Sequence, residues 1–146
     1  MSIFTRISAS LKGFSFRTDN PKQESRQIND DIYAEVFVST SLEREALTEL
    51  LCGLSETAAR DRFFDIITDE ISLSVDNNYS YDPMKTEFLH FKYFLEVNPF
   101  VDIDESRFLH ALAKLEAFLK RQGFPVVTAC DDEDQLARLV EKELAE

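Results

Sequence analysis

Hydrophobic and polar positions along the chain change period in a fixed order: a period-two segment, a helical one, two further period-two segments, a second helical one and a short apolar run. Side chains alternate across a strand and return every 3.6 residues on a helix, so that order predicts β-α-β-β-α-β. In the first segment Ile32, Ala34, Val36 and Val38 alternate with Tyr33, Glu35 and Phe37. Both sets are largely apolar, which predicts a strand in the middle of a sheet. Thr40 and Glu43 then stand in capping-box register, predicting a helix through Leu42, Ala46, Leu47, Leu50, Leu51 and Leu54. Gly53 and Ser55 mark its end, and residues 56–64 read as an extension or a second short turn.

From Ile71 the period returns to two. Ile71, Leu73 and Val75 alternate with Ser72, Ser74 and Asp76, the pattern of an edge strand wet on one face. Residues 77–83 form a polar loop too long for a two-residue hairpin turn. The next strand, Phe88 to Val97, has Leu89, Phe91, Tyr93, Leu95 and Val97 on its apolar face, and Asn98 with Pro99 end it. A second helix is capped by Asp102 or Asp104 and carries Phe108, Leu109, Leu112, Leu115, Phe118 and Leu119 at helical spacing. Lys120, Arg121 and Gly123 suit its C-terminus. Phe124 to Cys130 is a short strand, and Glu133 to Leu144 a terminal helix with Leu136, Leu139, Val140 and Leu144 on one stripe. The expected fold is α+β and ferredoxin-like, with two helices on one face, an N-terminal arm and an extra C-terminal helix. The right-handed crossover rule gives the strand order four-one-three-two.

A chain of 146 residues has the usual size of one domain, and thirteen Phe with four Tyr supply its core. Cys52 and Cys130 lack the spacing of metal clusters or redox pairs, so they are read as reduced and structural. No run of 18 apolar residues exists, so no membrane span is expected and the localisation is read as cytoplasmic.

Charge divides the chain near Asp30. The net charge of −12 is +2 over residues 1–30 and −14 over residues 31–146, which gives a basic arm and a single acidic α+β domain. The acidic body repels phosphate backbones, so nucleic acid is excluded as its ligand, while a basic protein would be attracted. In the arm, Ile3, Phe4, Ile7, Leu11 and Phe14 recur at helical spacing among Arg6, Lys12 and Arg17, a short basic amphipathic helix.

No glycine-rich phosphate loop, catalytic triad spacing or zinc cluster occurs, so no catalytic residue, metal or cofactor is assigned and the protein is read as non-enzymatic. His90 and His110 are read as packed or surface residues. The densest acidic cluster is Asp131, Asp132, Glu133 and Asp134, where the last strand meets the last helix. Carboxylates there complement the helix dipole and cap its amides, and the same four residues are a candidate docking patch. Tyr79 and Tyr81, with Asp82 beside them, are the second candidate, because exposed tyrosine flanked by acid anchors protein recognition.

Residues 123–136, a glycine, an apolar strand and a Cys-Asp-x-Glu-Asp stretch after a long amphipathic helix, resemble the C-terminus of small bacterial immunity-type and other partner-binding proteins. Asp132 stands where such sequences often carry an aromatic. The resemblance implies a protein that neutralises a basic toxin or effector by covering it with an acidic surface. A small-molecule regulatory domain, an acidic secretion chaperone and a homodimer remain alternatives on this fold.

Overall fold

The computed structural model describes residues 26–146. The amphipathic pattern of Ile3 to Phe14 lies outside the described residues.

The first strand, β1 (Ala34–Val38), sets Ala34, Val36 and Val38 on one face and Glu35 and Phe37 on the other. It pairs with β5 (Tyr93–Pro99) on one side and β6 (Val126–Ala129) on the other, so it lies inside the sheet as its double-sided apolar pattern requires. Helix α1 is Arg44–Leu51, shorter than the capping-box reading. Thr40 Oγ1 accepts from the Leu42 amide at 3.1 Å, which closes a local turn before the helix and leaves Glu43 at the N-cap without a side-chain bond.

Residues 56–64 are not helical. They form β2 (Ala59–Arg60), whose partner is β3 (Asp65–Ile67), with Phe63 at the turn in the left-handed region at φ 47°. Strands of two and three residues are too short to show a period, which explains their absence from the pattern. The hairpin takes the outer place beside β4 (Ile71–Asn77), so β4 is an interior strand and not an edge. Its Ile71, Leu73 and Val75 are fully buried as the alternation predicts.

The strand expected from Phe88 starts five residues later. Residues Phe88–His90 form a 3-10 turn, because the Asn78 amide takes the carbonyls of Leu89 and Phe91 that a ladder would need. Pro99 does not end β5 but occupies its last position, opposite Ile71. Helix α2 (Glu105–Arg121) is capped by Asp104, which accepts from the Arg107 amide at 2.8 Å. Asp102 instead pairs with Arg26 at 3.1 Å. Gly123 at φ 90° supplies the left-handed residue that ends α2. Asp104→Ala is expected to cost about 1 kcal/mol in urea unfolding, and the exposed Asp102→Ala to leave the urea midpoint nearly unchanged.

Among the described residues the sheet has six strands, all antiparallel, in the order β2-β3-β4-β5-β1-β6. It differs from the expected four-stranded sheet by the two strands beyond β4. Helix α1 rests on β3 and β4, α2 on β6, and the last helix, α3 (Glu133–Ala145), on α2. Leu47, Leu51, Leu112, Leu115, Leu119, Leu139 and Val140 join Val36, Leu73, Leu95 and Val97 in one buried cluster, so the three helices cover one face of the sheet. Each fully buried Leu or Val contributes roughly 1.5–3 kcal/mol. The pairing reaches back before residue 30: Asn29 donates to Pro99, Val101 to Gln27, and Arg26 lies 4.0 Å over the Phe100 ring. Among the described residues no helix is long and apolar enough to cross a membrane.

Candidate partner-binding site

Between β4 and β5 the chain makes a knuckle, residues 78–92, braced by its own polar side chains. Asn78 does most of this. Its Oδ1 accepts from the Ser80 amide at 3.0 Å, and its Nδ2 donates to Leu89 at 2.9 Å and Phe91 at 2.7 Å. Asp82 Oδ1 accepts from the Met84 amide at 3.0 Å, and the Asp82 amide donates to the His90 carbonyl at 3.2 Å. His90 Nδ1 lies 2.8 Å from the Ser80 carbonyl, which can only accept, so Nδ1 carries the proton. The histidine expected on a strand is a loop brace.

These bonds fix the backbone and leave the large side chains outside. Tyr79 is fully exposed, Met84 is 87% exposed, and Leu89 and Tyr81 are about half exposed. Several large apolar groups held out on one hydrogen-bonded loop are unusual, because water disfavours them and a free loop would fold them inward. Phe88 turns back and meets Phe37 edge-on at 5.2 Å, and Phe37 lies 6.1 Å from Phe94. The knuckle is thereby seated on the sheet face opposite the helices. Tyr81, His90, Lys92, Ser39 and Pro125 line a shallow cleft of about 370 Å³ beside it.

The register lays two rows across that outer face. One runs Asp76, Phe94, Phe37, Val127, and the next runs Asp65, Ser74, Glu96, Glu35, Ala129. Glu35 stands directly opposite Glu96, an arrangement that costs stability between like charges. Burial pushes the Asp65 carboxyl up to about 7, with Asp61 and Asp76 adding to the rise against Arg62 and Arg44. Burial also raises Asp76, opposed by its bond from Ser74 Oγ and by Arg44, whose Nε donates to the Val75 carbonyl at 2.7 Å and whose guanidinium lies 3.9 Å over Phe64.

Tyr79, Tyr81 and Asp82 all lie on the knuckle, and Tyr81 and Asp82 both line its cleft. The cluster Asp131 to Asp134 is placed elsewhere. The knuckle springs from Asn77 and Tyr93, level with Val38 and Val126, whereas the acids follow Ala129 at the far end of β6. The strand between them is roughly 10 Å long. Asp132 caps α3 by accepting from the Gln135 amide at 3.2 Å, and Glu133 and Asp134 fill its first turn. His110 is exposed, its Nδ1 2.9 Å from the Ser106 carbonyl. Cys52 and Cys130 are free thiols, each raised by burial first. Among the described residues no three His, Cys, Asp or Glu side chains converge in a way that could hold a metal ion.

Sequence reasoning missed Met84 and Leu89, and also the carboxylate row of Glu35, Asp65 and Glu96. Met84 falls between the loop read at residues 77–83 and the strand read from Phe88, and Leu89 was placed on that strand's apolar face. The row depends on cross-strand register, which no single strand pattern reveals. Comparison with protein-family models, curated proteins and solved structures finds no match to this chain.

Proposed function

We propose that this protein is a non-enzymatic binding module that takes a basic protein on the knuckle 78–92 and the adjoining outer sheet face. The observation that carries this reading is the set of exposed Tyr79, Tyr81, Met84 and Leu89 on a loop whose backbone is already fixed. A preformed loop loses little entropy on binding, and tyrosine and methionine are favoured at the centres of interfaces. The carboxylates of Asp82 in the knuckle and of Glu35 and Glu96 on the adjoining outer face accompany these anchors, and the −14 carried by residues 31–146 speeds encounter with a positive surface. The occupant is a basic toxin or effector, and its neutralisation is steric and electrostatic occlusion in the cytoplasm, the immunity-type role that residues 123–136 resemble. Asp131 to Asp134 extend the acidic field at the far end of β6. For the fold, strands β6-β1-β5-β4 with α1 and α2 form a ferredoxin-like unit, to which the β2–β3 hairpin adds at the β4 edge; the order of those four strands supports this.

The test is purification from source cells at low salt, identification of the co-eluting protein, and titration of that protein against variants. A stoichiometric basic partner is expected. Tyr79→Ala should weaken it at least tenfold and Asp131→Lys mainly slow its association. Absence of a stoichiometric basic partner, or an affinity unmoved by Tyr79→Ala, overturns the assignment.

A further inference from the structure

The two edges of the sheet are unlike. At one, β2 is two residues long, and its Arg60 amide lies against the Cys52 thiol at the end of α1. At the other, β6 pairs with β1 on one side only. The Ser39 amide donates to the Pro125 carbonyl at 3.0 Å, which makes that opposed pair a hydrogen-bonded one. Bonded pairs alternate in an antiparallel ladder, so Val127 and Ala129 bond β1, while the N–H and C=O of Val126 and Thr128 point outward. Among the described residues nothing bonds these outward groups.

Natural sheets protect such an edge with charge, proline or a bulge. The run Val126-Val127-Thr128-Ala129 has none of these, and Val127 is 36% exposed on the outer face. Charge is graded along it. Lys120 and Arg121 precede the strand and Asp131 to Asp134 follow it, so the edge is basic at one end and acidic at the other. A second β6 laid antiparallel brings each basic end to the acidic end of the other copy.

We infer that the free edge of β6 is a self-association surface whose occupant is β6 of a second copy. The register that uses every outward group sets Val126 opposite Thr128 of the second copy, with Val127 facing Val127 of the second copy on the two-fold axis. That pairing forms roughly four backbone hydrogen bonds, covers the exposed Val127 side chains and makes one continuous sheet. The Glu143 carbonyl holds the Arg121 guanidinium at the end of α2, while Lys120 is paired with Glu116, so Arg121 carries the positive end. The contact is small and uses no residue of the knuckle 78–92, which stays open to a partner in both copies.

Sedimentation equilibrium of the full chain between about 1 µM and about 1 mM, in roughly 150 mM salt, tests this. The mass should rise with concentration from 16.8 kDa toward twice that value. Val127→Lys sets two ammonium groups against each other on the axis and should raise the dissociation constant at least about tenfold. Thr128→Pro removes an outward N–H that β1 does not use, and the Thr128 hydroxyl it deletes has no partner. It should abolish dimerisation with an unchanged far-ultraviolet spectrum. A chain that stays monomeric throughout, or a dimer that survives Val127→Lys, overturns the inference. So does a dimer lost to Tyr79→Ala and not to Val127→Lys.

Discussion

Leu95→Ala is expected to lower the free energy of unfolding by about 3 kcal/mol, within the 2–5 kcal/mol range of buried leucine truncations. Leu95 lies at the centre of β5, opposite Val75 on one side and Val36 on the other, and it is fully buried. Its neighbours are backbone-fixed on both flanks and covered by α1 and α2, so the space left by the lost carbons cannot collapse. For a domain of this size that loss is a large share of the usual 5–15 kcal/mol. The urea midpoint should fall with little change of slope. Leu89→Ala, in the knuckle, should move stability by less than about 0.5 kcal/mol because Leu89 is half exposed. Equal losses at the two positions would mean that the knuckle belongs to the core.

Asp65→Asn is expected to stabilise the protein by about 2 kcal/mol at pH 8 and to have no effect below about pH 4. In the fold the Asp65 carboxyl keeps its proton to about pH 7, whereas the ordinary value of 3.8 applies to the unfolded chain. Between those values the native state binds more protons than the unfolded state, so stability falls as pH rises. The penalty is complete above about pH 7. Asparagine carries no charge to desolvate and does not repel Asp61 or Asp76. Wild-type and variant stability profiles should therefore converge at low pH and part through this window. Parallel profiles would sink the burial account of Asp65.

The long amphipathic elements were legible because each buries one regular stripe: α2, α3, β1 and β4 all lie where their periods place them. What escaped was local side-chain competition for the backbone. Thr40 was read as a helix cap, yet its hydroxyl serves the Leu42 amide two residues on. Phe88 to Phe91 carry strand-forming residues, but Asn78 captures two of their carbonyls from ten or more positions away. The β2–β3 hairpin is too short for periodicity to register. Of the candidate site, Tyr79 and Tyr81 were visible as aromatics of a polar loop and Asp82 as the acid beside them. The outer-face carboxylates were visible singly, but their alignment across four strands exists only once register is set.

The brevity of β2 reaches beyond the edge it forms. A sheet with two long free edges can add copies head to tail without end, which is how edge pairing becomes a filament. Here the β2 side offers two residues, Arg60 is held over it by Glu45 and Glu49, and the outward amide meets a sulfur. Growth through β6 consumes the receptive edge that the described residues offer, so the assembly terminates at a closed pair.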